Sequence, residues 1–253
     1  MARLQNRQRF APAGLSQGMF EAVHATPDGE STVARFAMVA REFGYDGVVV
    51  RNHSDAGATY DSGSISEAYD VDVVDGVEIR APDPQRASGH LGSARREYDV
   101  VVLHGGTNAL NRFAVEQERI DVLAHPNRGA GEFNHVLAKA AVENGVRVEF
   151  NLEPVLRGEG GRRVQALSEL RSLHTLVEKY EVPYVVSADA RSHLHLRAPK
   201  ELFAVGDAIG LSADSIANGL QEWRRLAERN RERRSDSFIE PGVERGRYET
   251  TDR

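Results

Sequence analysis

The chain has 253 residues, 40% of them hydrophobic, and contains no cysteine. This length is enough for one α/β barrel around a single core. The lack of cysteine excludes disulfides, thiolate metal sites and cysteine nucleophiles. No apolar run approaches the ~20 residues that span a bilayer, and the start does not resemble a signal peptide, so we expect a cytoplasmic, soluble protein.

The chain is acidic, and nearly all of its basic residues are arginine. The formal net charge is −6, and among 32 basic residues only Lys139, Lys179 and Lys200 are lysines. An acidic, lysine-poor composition is typical of salt-loving archaea, whose proteins stay soluble in brine through excess surface carboxylate. GC-rich coding is the alternative explanation, but it does not require acidity. The composition therefore favours a halophilic source.

Both ends of the chain lack periodicity. Residues 1–18 carry Arg3, Arg7 and Arg9 and no acidic residue. This segment is either a basic arm that contacts RNA or sequence upstream of a true start at Met19, and we expect disorder in both cases. Residues 234–253 are also aperiodic, which predicts a disordered tail. One domain is therefore expected over residues 19–233.

Seven short apolar runs after Met19 predict β-strands. They are Phe20–His24, Gly47–Arg51, Val71–Ile79, Tyr98–Leu103, Ile120–Ala124, Val146–Phe150 and Tyr184–Ser187. Amphipathic stretches separate most of them. Strands that alternate with helices predict a parallel sheet with right-handed crossovers, and seven such units favour a TIM-type βα barrel over an open sheet.

Helical periodicity is clearest in four stretches. The first has Ser31 or Thr32 as its cap, and the second is closed by Gly145. The residues expected on the inner faces are Val33, Phe36, Ala37, Ala40 and Phe43; Val136, Leu137, Ala140 and Ala141; and Val164, Leu167, Leu170, Leu173, Leu176, Val177 and Tyr180. A last helix runs from Ser212 to about Arg233. No GxGxxG fingerprint follows a strand, and "HGGTN" at 104–108 is a turn that leads into a helix.

Polar residues follow the predicted strands at their C-terminal ends, which form the functional face of a parallel barrel. Histidine and carboxylate are ligands of zinc, manganese and iron in hydrolases. Taken singly, each residue has a structural explanation: a histidine can cap a helix, Glu78 can pair with Arg51 or Arg80, and Asp189 can cap a turn. The residues at these ends are His24, Asn52, His53, Glu78, His104, His125, Glu149, Asn151 and Asp189.

As a set, these residues resemble the PHP superfamily of metal-dependent phosphoesterases. The corresponding stretches are "VHAT", "RNHSD", "GVEIRA", "LAHP" and "SADAR". Three positions depart from the PHP pattern: Thr26 replaces a histidine, Asn52 an aspartate and Arg191 the last histidine. Loss of three ligands, with a cationic arginine beside the site, is expected to dismantle a multinuclear metal centre.

The chain from Met19 to about Asn230 resembles the ribonuclease P protein component 3 family, which has a PHP-like barrel. The most specific stretches are "YDGVVVRNHSD", "DVVDGVEI", "NRFAVEQERIDVLAHP" and "FNHVLAKAA". The resemblance implies a protein subunit that helps a ribozyme to remove 5′ leaders from precursor tRNA. It implies ribonuclease P RNA, component 2 and other protein subunits as partners, with precursor tRNA contacted indirectly and no membrane association.

The resemblance also implies that catalysis belongs to RNA and its Mg²⁺, so that this chain has no catalytic residue and binds no metal. The relict site would then comprise His24, His53, Glu78, His104, His125 and Asp189. The alternatives are an active PHP-type phosphoesterase that uses these same residues, and a stand-alone nuclease. Either enzyme would require stoichiometric transition metal.

Candidate contacts with RNA or a partner protein come from basic and amide side chains. The arginine run at 224–234 is a further candidate, with surface pairing to nearby acids as its alternative. Arg112 lies off the apolar stripe of its helix and can reach either a rim carboxylate such as Glu78 or a partner. The residues selected are Arg51, Asn52, Asn111, Arg112 and Arg128.

Overall fold

The computed structural model describes residues 18–235, 238–240 and 243–244. Its main sheet has seven parallel strands in chain order, each hydrogen-bonded to the next. They are β1 (Phe20–Val23), β2 (Gly47–Val50), β3 (Asp72–Ile79), β4 (Val100–His104), β5 (Val122–Ala124), β6 (Arg147–Asn151) and β7 (Tyr184–Ser187). The sequential order means that each crossover returns to the neighbouring strand, which curves the sheet into a barrel.

Helices connect the strands and cover the outside of the barrel. They are α1 (Val33–Phe43), α2 (Ser62–Tyr69), α3 (Pro84–Glu97), α4 (Asn108–Val115), α5 (His135–Asn144), α6 (Glu153–Arg157), α7 (Gly160–Tyr180), α8 (Pro199–Ile209) and α9 (Ala213–Arg234). None of the helices in the described part of the chain is long and apolar enough to cross a membrane.

Local sequence signals explain where these helices begin and end. The side chain of Thr32 accepts a hydrogen bond from the Arg35 amide at the start of α1, and Thr107 caps α4 in the same way through Leu110. Asn134 caps α5, which ends at Gly145 with a φ of 64°. Such caps satisfy amides and carbonyls that lack partners within the helix.

Alternate side chains of each strand point into the barrel. One interior cluster contains Val49, Val74, Val102 and Val185 together with Trp223 of α9. Arg51, Glu78 and His104 lie an even number of residues after these valines on their strands, so their side chains also point into the barrel. They lie at the C-terminal ends of the strands. The apolar layer thus lies directly beneath the polar one.

The barrel has a seam between its first and last strands. In the part of the chain that the structure describes, the only bridge between these two segments joins Val23 and Ala190. Glu21 accepts a hydrogen bond from the Ala188 amide at 3.0 Å, and Trp223 donates its indole N–H to the Val186 carbonyl at 2.9 Å. Side chains from β1 and α9 therefore satisfy polar backbone groups along the seam.

The predicted βα barrel is confirmed, and all seven predicted strands occur within two residues of their expected ends. Three inner-face assignments are wrong: the side chains of Phe43, Val136 and Val164 are 37%, 60% and 68% exposed. All three lie near an end of their helix, where the apolar face no longer has the barrel beside it.

The terminal predictions fall largely outside the described residues, which begin at Gly18. Met19 is buried in the core, and β1 begins at the next residue. In the tail for which disorder was predicted, the structure has two short antiparallel strands, β8 (Phe238–Glu240) and β9 (Val243–Glu244). The basic arm of residues 1–17 is not described.

Candidate functional site

The C-terminal ends of the strands bring the six predicted relict residues into one cluster. The imidazoles lie side by side, with ring centroids 5.0 Å apart for His24 and His53, 5.3 Å for His53 and His104, and 4.6 Å for His104 and His125. Glu78 lies among them, and its carboxylate is 3.6 Å from His53 Nε2 and 3.7 Å from His125 Nε2. Asp189 Oδ1 is 3.0 Å from His24 Nε2. The cluster is buried or nearly so.

Two members of the cluster have a left-handed backbone. His125 has φ of 50° and Asp189 has φ of 47°. Residues other than glycine rarely adopt this region, and it is found more often at functional sites. In this chain the conformation turns both side chains inward where β5 and β7 end.

A buried arginine occupies the centre of the cluster. Arg51 has no exposed surface, and its Nη1 is 2.7 Å from Glu149 Oε1. Its Nη2 donates a hydrogen bond to Asp189 Oδ1 at 2.9 Å, and its Nε is 3.6 Å from Glu78 Oε2. One guanidinium thus faces carboxylates from three strand ends, which compensate its buried charge, although its Nε and Nη1 make no hydrogen bond.

The electrostatics of the cluster follow from this central cation. Burial alone would raise the pKa of Glu78, but Arg51, with hydrogen bonds from histidines, lowers it well below its usual value. The pKa of Asp189 is lowered in the same way, against burial, by Arg51 and His24. Both carboxylates are therefore ionised in the folded chain.

The histidines differ in their surroundings. Burial would lower the pKa of His53, but hydrogen bonds with Asp28 and Glu78 raise it to about 9. The pKa of His24 is likewise raised, against burial, by Asp189 and Asp28. His125 is the exception, because burial lowers its pKa and the surrounding carboxylates only partly offset that effect.

Asp28 forms a second layer behind the histidines. Its carboxylate accepts hydrogen bonds from Nδ1 of His24 at 2.7 Å and Nδ1 of His53 at 2.8 Å. Arg191 contacts the same carboxylate at 2.7 Å and remains 42% exposed. Arg191 therefore lies beside the site, as expected, but not at a ligand position inside it. Its cation pairs with Asp28 at the edge, and the cation inside the cluster is Arg51.

The residues present do not fit the multinuclear metal centre of the PHP pattern. Two groups of three side chains do bring ligand atoms within 4.8 Å of one another, and both include Glu78. That carboxylate already faces the guanidinium of Arg51, whose charge is permanent. A divalent ion bound there would lie within a few ångströms of a buried like charge. The groups are His24, His53 and Glu78, and Glu78, His104 and His125.

Three of the predicted RNA or partner contacts are wrong because the side chains are buried. Arg51 is enclosed by carboxylates. Asn52 receives the Ala25 amide on its oxygen, and its nitrogen donates to the carbonyls of Ala25 and Ala56. Asn111 donates to the Pro126 carbonyl at 2.6 Å and has no exposed surface. These amides hold loops in place and have no free surface for a partner.

The other two candidates are exposed. Arg128 lies in the loop after β5. Arg112 does not reach Glu78, as one of its two alternatives required; its Nε donates to Glu116 at 2.7 Å on the same helix. Arg80, a proposed partner of Glu78, pairs instead with Asp55. Arg112 and Arg128 thus remain available for contact with RNA or protein.

Arg112→Ala should leave the melting temperature nearly unchanged and weaken assembly with partner subunits. Its ion pair with Glu116 is exposed, and solvent and salt screen such pairs so that they contribute little to stability. Melting of the isolated variant and its affinity for the reconstituted complex are the two measurements. A fall in stability with intact assembly would contradict the assignment of Arg112 to a partner surface.

The arginine run of α9 pairs mainly with acids of the barrel, which was the second of its two interpretations. Arg231 contacts Asp72 at 2.8 Å and Asp99 at 2.9 Å, and Arg229 contacts Asp121 at 2.5 Å. These aspartates lie at the N-terminal ends of the strands, opposite the histidines. The run therefore fastens α9 across that end of the barrel.

Sequence reasoning missed the central role of Arg51 and the contribution of Asp28. The inward direction of Arg51 could have been predicted, because Arg51 is two residues from both Val49 and His53 and alternate residues of a strand face the same side. Asp28 follows His24 by four residues in a loop, and no pattern in the sequence distinguishes it.

A family model described as RNase P subunit p30 matches residues 19–235. A protein of Haloarcula marismortui named ribonuclease P protein component 3 is 58% identical over 225 residues, which cover 89% of this chain and 96% of that protein. Its namesake in Natronomonas pharaonis is 55% identical over 236 residues, or 92% of this chain and 99% of that one.

A solved structure shows the same fold. A chain in a cryo-EM structure of archaeal ribonuclease P with mature tRNA superposes with a TM-score of 0.77 at 22% identity, over 91% of this chain and 99% of that chain. Its likeness supports the barrel architecture, and the sequence relatives from salt-loving archaea agree with the acidic, lysine-poor composition. The family model and the relatives together span nearly the whole described chain, which therefore belongs to the RNase P subunit p30 family.

Proposed function

We propose that this chain is a protein subunit of the ribonuclease P ribonucleoprotein, supporting the endonucleolytic removal of 5′ leaders from precursor tRNA. RNA is the catalyst in this proposal, and the Mg²⁺ that it requires is bound by RNA. The partners are the ribonuclease P RNA, component 2 and the other protein subunits, and precursor tRNA is reached through the assembled particle. Archaeal tRNA matures in the cytoplasm, so we place the chain there.

The observation that carries this proposal is the family match over residues 19–235. The barrel rim is consistent with it. A PHP-type phosphoesterase needs open metal positions beside its histidines. Here the carboxylates that would complete those positions contact the buried guanidinium of Arg51. The rim thus keeps histidines and carboxylates of the PHP pattern, but the guanidinium of Arg51 lies at their centre.

Reconstitution tests the proposal. Adding this chain and component 2 to the ribonuclease P RNA should lower the Mg²⁺ concentration needed for precursor tRNA cleavage. Proteins that hold folded RNA reduce the number of ions needed to offset phosphate repulsion. The control replaces this chain with another acidic protein of similar size. A magnesium optimum that is the same with and without the protein pair would refute the proposal.

The isolated chain should neither hydrolyse phosphate esters nor carry stoichiometric transition metal. The reason is the charge of Arg51 beside Glu78, which disfavours a divalent ion at the same carboxylate. Metal content after purification, and turnover of RNA and of a chromogenic phosphodiester with added Mn²⁺ or Zn²⁺, are the measurements. His125→Ala is the control, because turnover that disappears in this variant would establish the phosphoesterase alternative.

A further inference from the structure

The end of the barrel opposite the histidines contains a cavity of about 620 Å³ lined by arginines. It lies between the end of α3, the loop that precedes β5, the end of α5 and the last turns of α9. Arg95, Arg119, Arg229 and Arg233 reach it from three of these segments. Because the site lies at the N-terminal ends of the strands, it is separate from the rim described above.

A buried aspartate holds two of the arginines in place. Asp121 is 1% exposed, and its carboxylate is 2.6 Å from Arg95 Nη1 and 2.5 Å from Arg229 Nη2. Asn230 donates a further hydrogen bond to it at 3.0 Å. The side chains of Arg95 and Arg229 nevertheless remain 21% and 30% exposed. Both guanidinium groups are thus fixed in position, with part of their surface on the cavity.

Two more arginines of the cavity have unpaired side chains. Among the residues that the structure describes, the guanidinium groups of Arg119 and Arg233 form no hydrogen bond and no ion pair, and both are exposed. Burial, together with the cations of Arg147 and Arg233, lowers the pKa of Arg229. The lining has five arginines against the carboxylates of Glu118, Asp121 and Glu143, an excess of two positive charges in a chain whose formal net charge is −6. A concave surface with an excess of one charge focuses its field on a ligand of the opposite sign.

The composition of the lining identifies the ligand class. The core of a protein interface is apolar, with aromatic or aliphatic anchors. Among the described residues that line this cavity, Val142 is the one large apolar side chain, and the guanidinium and amide groups outnumber the three carboxylates. A guanidinium group donates two parallel hydrogen bonds to a phosphate, which makes arginine well suited to bind it.

We propose that this cavity binds the phosphodiester backbone of RNA, with Arg119 and Arg233 in direct contact and Arg95 and Arg229 as fixed neighbours. The proposal rests on the function proposed above, since it assigns the RNA of the same particle to this surface. It places RNA at the end of the barrel that is closed by α9, away from the histidine rim.

Tethered cleavage tests the position of the RNA. The chain has no cysteine, so Arg119→Cys and Arg233→Cys each provide a single attachment point for an iron chelate that releases hydroxyl radicals. Arg162→Cys is the control, because Arg162 is exposed at the start of α7, at the opposite end of the barrel. Each labelled chain is assembled with component 2 and ribonuclease P RNA. Cuts from positions 119 and 233 should fall on one shared RNA segment that the probe at 162 spares.

Charge reversal provides an independent measurement. Arg119→Glu combined with Arg233→Glu should weaken RNA binding by the protein pair by at least about tenfold at low salt, and reduce the slope of log affinity against log salt by about 1.5. The matched control is Arg162→Glu combined with Arg163→Glu, which makes the same change in net charge at two exposed arginines of α7. The control pair should retain nearly full affinity.

The possible outcomes separate the two proposals. If no ribonucleoprotein assembles with the unmodified chain, the proposed function fails and this inference fails with it. If the particle assembles but positions 119 and 233 give no RNA cuts, or label a protein subunit instead, only the RNA site is refuted. Equal losses of affinity for the two charge-reversed pairs would also refute it.

Discussion

Replacing Arg51 with methionine should destabilise the folded chain by about 3–5 kcal/mol, because it leaves buried carboxylates without their cation. Glu78 Oε2 makes no hydrogen bond and is 3.6 Å from Arg51 Nε, and Glu149 and Asp189 face the same guanidinium. In the variant these acids would have to take up protons or admit water. Denaturant unfolding of the wild type and the variant measures the difference.

Two further variants test whether the loss of stability comes from the buried carboxylates around Arg51. Arg80→Met removes an arginine whose ion pair with Asp55 is largely exposed, so its effect should stay within about 0.5 kcal/mol. Glu149→Gln combined with Arg51→Met should be less destabilising than the sum of the two single changes, because the double variant has one unpaired buried charge fewer. Additive effects would contradict the assignment of Arg51 as the cation of this cluster.

The second large effect is expected at Trp223 on α9. Its side chain is fully buried in the apolar layer of the barrel interior, and Arg51 lies 5.8 Å from its ring centroid. Trp223→Ala should cost about 3–5 kcal/mol through lost burial and the cavity that remains. Thermal or denaturant unfolding provides the measurement.

Trp223→Phe separates packing from hydrogen bonding at this position. It keeps an aromatic ring in the interior but removes the indole N–H that donates to the Val186 carbonyl. The expected cost is smaller, about 1–3 kcal/mol for an unsatisfied buried carbonyl. If Trp223→Ala unfolds at the wild-type denaturant concentration, α9 is not part of the barrel core.

The strands and the approximate position of the site could be predicted because their signals are local. Valine-rich runs that end on histidine or a carboxylate predict buried strands and mark their C-terminal ends, as at Leu123 to His125. Barrel topology then brings those ends together. The inner-face assignments of Phe43, Val136 and Val164 were wrong because periodicity says which face of a helix is apolar, but not where the sheet beneath it ends.

The inward direction of Arg51 could be read from strand parity, but its burial could not. A buried guanidinium is stable only with carboxylates around it, and Glu149 and Asp189 come from strand ends about 100 and 138 residues later in the chain. The ion pairs between α9 and the barrel also join residues that are far apart in the sequence. Arg229 finds Asp121 only after the last helix has crossed the end of the barrel. Such partners depend on tertiary structure and leave no local pattern.

The role of this chain as a subunit of ribonuclease P is tested most directly in its own cells. The tagged chain is purified from them, and the RNA that remains bound is sequenced. We expect strong enrichment of ribonuclease P RNA over a mock purification, together with component 2. A chain that is recovered without this RNA, but with stoichiometric transition metal and phosphoesterase activity, would instead be a metal-dependent phosphoesterase.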